Sequence, residues 1–226
     1  MQVRWYGQSA FTLTGSSTTV TIDPFGEFPD TPGRDLRWEY APVPGHHTDL
    51  LLITHEHFDH NAAEMIAGDP QVIRSTAGTF DSPTGEVRAI ASEHDDAAGT
   101  QRGPNSIVVF GLDGLQVCHF GDFGQAALRP EQRAAIGTVD VLMLPVGGGP
   151  TVGGESAAAI VRELSPQLVI PMHYRTDAID FLDPPDAFLA ACDGADIRTL
   201  DTSDLDPDEL LGSRQKPVIA VLTPPV

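Results

Sequence analysis

Four residues with metal-binding side chains lie within six positions of one another: His55, His57, Asp59 and His60. They follow directly after the apolar run Leu50–Ile53. Imidazole is the commonest nitrogen ligand for zinc and related metals, and carboxylate supplies a harder oxygen ligand. Residues two apart in an extended loop point to the same side, so His55 and His57 can bind one ion together.

The spacing favours a pair of metal ions. Asp59 and His60 lie at the turn into the next element and can reach a second ion near the first. A single tetrahedral ion does not need four ligands from one short segment. The alternative is a surface loop that contains several histidines by chance, although only 8 of the 226 residues are histidine. We therefore interpret this loop as part of a metal centre.

A rigid framework must hold this loop, and the sequence predicts a mixed α/β protein of layered sheets and helices. Strand-like segments, rich in aromatic and β-branched residues, cluster near the start of the chain, and strands alternate with helices in the second half. The run Leu50–Ile53 is typical of a strand that is buried on both faces. Since no shift in composition marks a boundary, we predict one domain over residues 1–226.

The predicted elements are short. Strands are predicted at residues 3–6, 11–14, 18–23, 50–53, 71–74, 86–91, 106–112, 115–120, 139–145, 168–172 and 217–222. Helices are predicted at residues 61–67, 130–136, 155–164 and 186–192. Residues 24–48 form a long loop rich in proline and glycine, which is predicted to act as a lid or a binding loop. Its aromatic side chains either line a pocket or pack the loop onto the body: Phe25, Phe28, Trp38 and Tyr40.

The charge balance limits the partners. The chain carries 13 lysine and arginine residues against 32 aspartate and glutamate residues, which gives a formal net charge of −19. So acidic a chain is not expected to bind a nucleic-acid backbone or an anionic membrane as its main partner. A small-molecule substrate is compatible with this charge, including an anion that a local arginine or metal ion holds. The sequence leaves open whether the chain forms a homo-oligomer.

Two further features bear on location. The sequence shows no signal peptide and no apolar run of about 18 residues. Its two cysteines, Cys118 and Cys192, are too few for a disulfide framework. We therefore expect a cytoplasmic protein.

Five motifs in order along the chain carry a resemblance to a known family. The His-x-His-x-Asp-His loop resembles the signature of the metallo-β-lactamase superfamily, and four other motifs resemble further motifs of that superfamily. These four are Thr21-Ile22-Asp23-Pro24, Glu93-His94-Asp95-Asp96, Gly121-Asp122 and Ile170-Pro171-Met172-His173-Tyr174. Two more segments are similar to a subgroup of small stand-alone hydrolases related to L-ascorbate-6-phosphate lactonase: Arg102-Gly103-Pro104-Asn105 and Leu144-Pro145-Val146-Gly147-Gly148.

The resemblance implies a fold and a set of metal ligands. The fold is an α/β four-layer αβ/βα sandwich, in which two mixed β-sheets pack face to face with helices outside. The ligands are five histidines and two carboxylates, which leave coordination positions open for water, as is typical of catalytic sites. By this resemblance, the first ion would be bound by His55, His57 and His94, the second by Asp59, His60 and His173, and Asp122 would bridge them.

The implied cofactors are two divalent metal ions, with zinc expected first and manganese or iron as alternatives. Two ions roughly 3.5–4 Å apart can bind a hydroxide between them and lower the pKa of the parent water toward about 7. Asp59 and His60 are the predicted catalytic residues, and Asp59 would also orient the nucleophile. We predict a hydrolase of a small ester or lactone, with or without a phosphate group. The alternatives are a phosphodiesterase of a small or lipid-like substrate and a non-catalytic protein that binds a metal or a metabolite.

Three residues within or beside these motifs are candidate substrate contacts: Arg102, Tyr174 and Arg175. Arg175 lies two residues after the predicted ligand His173 and can bind a phosphate or a carboxylate bidentately. The alternative for Arg175 is a surface salt bridge, which is common in a chain with many acidic residues.

Three positions separate this chain from particular members of the superfamily. Gln8 stands where related sequences often carry histidine, and a carboxamide can hydrogen-bond but is not an acid or base at neutral pH. Asp122 stands where some β-lactamases have a cysteine ligand. His57 stands where oxygen-reducing di-iron relatives have glutamate, which favours hydrolysis.

The remaining polar candidates are expected outside the ligand set. Asp23 is expected to support the site rather than to bind metal, because a proline follows it at the end of a strand. His119, in a hairpin strand, is interpreted as structural, and His46 and His47 are expected to face solvent.

Overall fold

The computed structural model describes residues 1–28 and 36–225, and these form two β-sheets. The first sheet has six strands, in the spatial order β13 (Asp204–Leu205), β1 (Gln2–Gly7), β2 (Ala10–Thr14), β3 (Thr19–Ile22), β4 (Leu50–Ile53) and β5 (Gln71–Arg74). The second has eight strands, in the order β12 (Asp196–Thr199), β14 (Val218–Val221), β11 (Leu168–Met172), β10 (Val141–Pro145), β9 (Leu115–His119), β8 (Pro104–Leu112), β7 (Gly85–Glu93) and β6 (Gly78–Ser82).

Both sheets are mixed. In the first sheet, β1, β2 and β3 pair antiparallel, whereas β3, β4 and β5 pair parallel. In the second sheet, β6 to β9 pair antiparallel, and β9, β10, β11 and β14 run parallel. Consequently β1, β3 and β4 share one direction, as do β7, β9 and β11. The loops that follow these strands therefore leave each sheet along a single edge.

One hydrophobic core joins the two sheets. The first sheet contributes side chains such as Trp5 and Phe11, and the second contributes Phe110 and Leu144, all of them buried. Burial of this apolar surface is the main force that holds the sheets together. The predicted pair of mixed sheets packed face to face is thus confirmed.

Strand β4 is buried on both faces, as its continuous apolar sequence predicts. Leu50 and Leu52 belong to the core between the sheets. Leu51 and Ile53 point to the other face, where they pack with Ile66. The strand that carries the histidine loop is therefore fixed from both sides.

The helices are few and short. Among the described residues there are three α-helices, α1 (Pro130–Ile136), α2 (Gly154–Leu164) and α3 (Asp186–Ala191). Helix α2 packs on the core through a face that repeats at helical spacing and includes Ala157, Ile160, Val161 and Leu164. None of the described helices has the length and apolar character that a membrane crossing requires.

The prediction of a helix at residues 61–67 was wrong. The structure forms one short 3₁₀ turn there, Ala63–Met65, because Ala62 is not helical and Ile66 is already extended. The contact of Ile66 with the outer face of β4 outweighs the local preference of this alanine-containing segment for helix. Three strands were missed, β6, β12 and β13, because they lie toward sheet edges and are largely exposed, so they lack an apolar pattern.

The long loop at residues 24–48 is described at both ends, and its residues 29–35 lie outside the described part of the chain. Phe25, Tyr40 and Val43 are buried in a second apolar cluster, together with Ile179. Packing of the loop onto the body is therefore observed for these residues. A role as a lid stays a prediction.

Candidate metal centre and active site

The loops along the shared edge bring two groups of metal-binding side chains together. In each group, one ligand atom of every residue lies within 4.8 Å of the others. The first group is His55, His57 and His94, and the second is Asp59, His60 and His173. These two groups are the ligand sets expected from the resemblance, and they come from the loops after β4, β7 and β11. A third group of such side chains, Asp23, His55 and His60, shares one histidine with each of them.

Asp122, in the loop after β9, lies between the two groups. Its Oδ2 atom is 3.0 Å from Nε2 of His94, 3.2 Å from that of His173, 3.3 Å from that of His60 and 3.9 Å from that of His55. Two of these nitrogens belong to each group. Asp122 therefore has the position that a bridging carboxylate requires.

The hydrogen bonds of the histidine rings indicate where their lone pairs point. Nδ1 of His94 is 2.9 Å from the carbonyl oxygen of Pro150, and Nδ1 of His60 is 3.1 Å from Oδ2 of Asp23. Because both oxygens accept, each Nδ1 carries a proton, and a neutral ring then has its lone pair on Nε2. These lone pairs face the carboxylate of Asp122, an arrangement that a cation between them stabilises.

Two ligand atoms lack any hydrogen bond. Nε2 of His55 and Nε2 of His60 are buried without a partner among the described residues. Unpaired buried nitrogen is rare in proteins, and a metal ion satisfies it. The residues present therefore fit divalent metal ions.

The local electrostatics suit cation binding. Burial, followed by the neighbouring His60, lowers the pKa of His55 well below its ordinary value, so that ring is neutral near pH 7. Burial raises the pKa of Asp122, but the facing His173 and His60 outweigh it and hold that pKa well below its usual range. Burial lowers the pKa of His60, but the carboxylates of Asp122 and Asp59 outweigh it and raise that pKa well above its ordinary value. The ionised carboxylates thus favour positive charge in the centre, which a bound metal ion also supplies.

Asp23 supports the centre through hydrogen bonds. Its Oδ2 atom accepts from Nδ1 of His60 and from the Thr54 hydroxyl (2.7 Å), and its Oδ1 atom accepts from the Thr54 backbone N–H (2.7 Å). Both carboxylate oxygens are therefore occupied, although Asp23 lies close to His55 and His60. A carboxylate in this position fixes the orientation and tautomer of a ligand histidine.

Three residues hold Asp122 in place. The Ser9 hydroxyl donates to Oδ1 of Asp122 (3.0 Å), which leaves Oδ2 for the histidines. The Asn105 side chain accepts from the Asp122 backbone N–H (3.0 Å). His119 contacts the neighbours of Asp122 rather than Asp122 itself. Its Nε2 donates to the Ser9 carbonyl oxygen (2.9 Å), and its Nδ1 accepts from the Gly121 N–H (3.0 Å).

Backbone strain is concentrated at this edge. Of seven non-glycine residues with positive φ in the described part of the chain, three belong to the site: Gln8 (φ 45°), Asp23 (46°) and His173 (50°). Left-handed backbone is unfavourable for such residues and tends to persist at functional sites, where the surrounding structure enforces it.

A pocket with a volume of about 540 Å³ opens beside the centre, a size that suits a small molecule. Ligand residues form part of its lining, and aromatic side chains form another part. The aromatic residues are Phe28, Trp38, Phe58 and Phe181, and the predicted ligands are His57, Asp59, His94, Asp122 and His173. Another cavity of about 460 Å³, next to α2 and α3, includes none of the seven predicted ligands.

Gln8 also lines this pocket. Its backbone carbonyl accepts from the Trp5 indole N–H (2.9 Å) and from the His173 N–H (3.2 Å). Its side chain is fully buried, and neither Oε1 nor Nε2 has a partner among the described residues. Burying an unpaired amide costs about 1–3 kcal/mol, so this side chain is an unusual feature of the pocket.

The predicted substrate contacts separate into two kinds. Arg102 lines the pocket, and Asp95 holds its loop by accepting from the Arg102 backbone N–H (2.8 Å). Tyr174 and Arg175 are not brought to the pocket, which corrects that expectation. The Tyr174 hydroxyl is buried and donates to the Leu222 carbonyl, and Nε of Arg175 donates to the Leu182 carbonyl (2.7 Å). Adjacent side chains of extended backbone point to opposite sides, which turns Tyr174 away from the side of His173. The left-handed backbone of His173 (φ 50°) interrupts the extended geometry, so a spacing of two residues does not bring Arg175 to the site.

The remaining histidines and the two catalytic candidates take distinct places. Asp59 lines the pocket, whereas His60 is fully buried behind it, so the geometry gives His60 a ligand position rather than direct access to substrate. His46 is not simply solvated, because its Nε2 contacts the hydroxyls of Thr12 (3.0 Å) and Thr21 (2.9 Å) away from the centre. His47 is exposed, as expected.

Sequence reasoning missed several residues that matter here. Ser9 and Thr54 carry no motif signal of their own, and only their contacts with Asp122 and Asp23 show their role. Phe58 lies inside the histidine motif. A large apolar side chain in an otherwise polar loop could have predicted that this residue lines a pocket.

Comparison with known proteins places the chain in a family. Residues 2–173 match the family model of the β-lactamase superfamily domain. A UPF0173 metal-dependent hydrolase of Methylobacterium nodulans is 33% identical, over 88% of this chain and 95% of the relative. A UPF0173 metal-dependent hydrolase of Pyrobaculum islandicum is 30% identical, over 82% of this chain and 89% of the relative.

The chain therefore belongs to the metallo-β-lactamase superfamily, and within it to the family of UPF0173 metal-dependent hydrolases. The fold agrees with this assignment. A solved structure from Thermotoga maritima, described as a candidate Zn-dependent hydrolase of the same superfamily, aligns with a TM-score of 0.75 and 28% identity. That alignment covers 98% of this chain and 99% of the other.

Proposed function

We propose that this protein is a dinuclear metal-dependent hydrolase that cleaves a small carboxylic ester or lactone. One observation carries the dinuclear part of the proposal. Oδ2 of Asp122 lies 3.0–3.9 Å from Nε2 of four histidines, two from each ligand group. A carboxylate oxygen that faces both ligand groups can bind two ions at once. A single ion would leave one of the two ligand groups without a metal.

The chain's residues would divide the work as follows. His55, His57 and His94 would hold one ion, Asp59, His60 and His173 the other, and Asp122 both. Ions held in this way would lower the pKa of a bound water and polarise the carbonyl oxygen of a substrate. Asp59 lines the pocket and is partly exposed, so its carboxylate can orient the attacking water.

The overall reaction is balanced by one water molecule. The water oxygen forms a bond to the acyl carbon, and the bond from that carbon to the leaving oxygen breaks. One hydrogen of the water ends on the leaving alcohol, and the other is released with the carboxylic acid. In a lactone both products are parts of one molecule, a hydroxy acid.

The second candidate substrate is a phosphodiester, and the position of Arg102 is the observation that supports it. Arg102 is the one cationic side chain among the described residues that line the pocket, and it can hold an anion. The pocket also contains Glu56 and Asp59, whose charges disfavour a phosphate. We therefore place the ester or lactone first. Zinc is the metal that best suits this mixture of imidazole and carboxylate, with manganese or iron as alternatives.

The two cysteines are free and buried, which supports a cytoplasmic location for this enzyme.

The test is an initial-rate comparison on protein of measured metal content, loaded with Zn²⁺ or with Mn²⁺. Lactones and simple esters are compared with a chromogenic phosphodiester. We expect two ions per chain and faster turnover of the carbonyl substrates. The variants His57→Ala and Asp122→Ala should abolish turnover while the circular-dichroism spectrum stays unchanged. His47→Ala, an exposed histidine outside the site, is the matched control.

Each other outcome has a definite meaning. One ion per chain, or full activity in both ligand variants, would contradict the dinuclear centre. Preference for the phosphodiester would favour the second candidate. Two bound ions without hydrolysis of any compound would favour a protein that binds a metal or a metabolite without turnover.

A further inference from the structure

The pocket beside the metal centre has an apolar side that hydrolysis itself does not require. We define the aromatic wall as Phe28, Trp38, Phe58 and Phe181, all of which line this pocket. The rings of Phe28 and Trp38 lie 4.7 Å apart between centroids, and those of Phe28 and Phe58 lie 5.1 Å apart. Phe28, Trp38 and Phe58 therefore form a connected aromatic surface, and Phe181 lines the same pocket.

The wall is built into the body of the protein. Trp38 packs against Phe25 (5.3 Å between centroids) and Tyr40 (5.5 Å), which belong to the buried second cluster. Phe181 packs against the same cluster. A wall supported in this way is preorganised, so binding to it requires little ordering of side chains.

Phe58 shows that the wall is available to a ligand. Its side chain is 49% exposed, which makes it one of four large apolar side chains that are markedly exposed in the described part of the chain. It lines the same pocket as the predicted ligands His57 and Asp59, so its ring adjoins the metal centre. Exposed apolar surface beside a polar site is typical of a ligand-binding surface.

Gln8 supplies a second, independent observation. Both polar atoms of its side chain are buried without a partner in the described part of the chain, and the residue is held in left-handed backbone at the pocket. A carboxamide buried without hydrogen bonds needs a partner that enters the pocket. Its N–H can donate to the oxygen of a carbonyl or carboxylate group.

We propose that the substrate of this site carries an aromatic or similarly flat apolar group, which packs on the aromatic wall while Gln8 hydrogen-bonds the oxygen of its carbonyl group. This inference rests on the proposed function, since it assigns the substrate class of the same site. It separates this protein from enzymes of sugar-phosphate lactones, whose substrates carry several hydroxyl groups and a phosphate in place of an aromatic group.

The test measures binding rather than turnover. Two carboxylic acids serve as probes, 3-phenylpropanoate and propanoate, because they share the carboxylate and differ in the phenyl group. Calorimetric titration of the zinc-loaded protein should show at least tenfold tighter binding of 3-phenylpropanoate, because the phenyl group is removed from water. Glucose 6-phosphate, a polar anion, should bind more weakly than 3-phenylpropanoate.

Two variants separate the two parts of the proposal. Phe58→Ala should reduce the preference for 3-phenylpropanoate at least threefold. Gln8→Met, similar in volume and without the amide, should weaken binding of both acids by about three- to tenfold and keep their ratio. Ile197→Ala, at a similarly exposed apolar residue on β12 outside the pocket, is the control and should change neither affinity. Metal content is measured for each variant to establish that the centre is intact.

Equal affinities for the two acids, no measurable binding of 3-phenylpropanoate at millimolar concentration, or tighter binding of glucose 6-phosphate would overturn the aromatic substrate class. An unchanged preference in Phe58→Ala would overturn the role of the wall, and unchanged affinities in Gln8→Met would overturn that of Gln8. Binding is measured independently of turnover. If the protein bound the acids as expected but hydrolysed no ester, the proposed function would be refuted and the inferred substrate class would stand.

Discussion

At the scale of single residues, the metal centre depends on which oxygen of Asp122 is free. The Ser9 hydroxyl occupies Oδ1 at 3.0 Å, and Oδ2 faces the four histidines. Without that hydrogen bond, rotation of the carboxylate would be less restricted, and a buried oxygen would lose its donor. Partners of ligand residues typically contribute a factor of about 10–100 to metal affinity.

We therefore predict that Ser9→Ala lowers the affinity for zinc by about 10–100-fold while the fold is retained. Competition with a chelator of known affinity measures this change. Ser16→Ala is the matched control, because Ser16 also donates its hydroxyl to a carboxylate, Oδ1 of Asp113 (2.8 Å), on an exposed hairpin. Equal zinc affinity in the wild type and in Ser9→Ala would show that Ser9 does not orient Asp122.

At the scale of elements, the turn after β9 brings Asp122 to the centre. Gly121 has a left-handed backbone (φ 54°), which favours glycine. A Cβ atom at this position would clash with the Asn105 amide oxygen and would lie 2.7 Å from the Thr54 hydroxyl. Both neighbours hold other parts of the site, so neither can move without disturbing it.

We predict that Gly121→Ala abolishes stoichiometric metal binding and lowers the melting temperature. Gly114→Ala is the matched control, since Gly114 is also left-handed (φ 85°) but has open space where its Cβ would lie. The control should lose only about 1 kcal/mol of stability and keep its metal. Metal analysis and thermal unfolding of both variants measure the difference. If both variants lost the same stability and kept full metal content, close packing at Gly121 would be irrelevant to the centre.

The loop between β7 and β8 shows how an element places a cation at the pocket. One carboxylate oxygen of Asp95 accepts from the N–H groups of Ala97 and Gly99, and the other accepts from those of Gln101 and Arg102. Burial raises the pKa of Asp95, but these four N–H groups outweigh it and lower that pKa below its ordinary value. The charged carboxylate thus shapes the loop that carries Arg102.

At the scale of the whole molecule, the predicted ligands come from both sheets. His55, His57, Asp59 and His60 follow β4 of the first sheet, and His94, Asp122 and His173 follow β7, β9 and β11 of the second. Ions bound here would join the two sheets at one edge, in addition to the apolar core. Ligands that bind the folded state alone raise its stability by mass action.

We predict that removal of metal with a chelator lowers the melting temperature by about 5–10 °C, which corresponds to about 2.7 kcal/mol at a hundredfold excess of free ion over its dissociation constant. Differential scanning calorimetry with and without added zinc measures this shift. His57→Ala should show a smaller metal-dependent shift, since it lacks one ligand. Identical melting temperatures with and without metal would contradict a role of the ions in joining the sheets.

The kinds of metal-binding residue, and the strand ends at which they occur, follow from the amino-acid sequence alone. The buried strand Leu50–Ile53 has the predicted bounds, and Asp23 has the predicted supporting place, because both depend on short-range patterns of apolar and polar residues. Edge strands such as β12, and the single turn Ala63–Met65, escaped prediction because exposure and tertiary contacts, rather than local pattern, define them.

Which side chains meet at the pocket depends on tertiary packing. Phe28, Trp38, Phe58 and Phe181 are far apart in the chain, and only the fold joins them into one wall. It also turned Tyr174 into the interior and brought the buried amide of Gln8 to the pocket. The physical reason is that local patterns set the direction of a side chain relative to its own strand. Distances between strands from two sheets are instead set by the packing of the whole core.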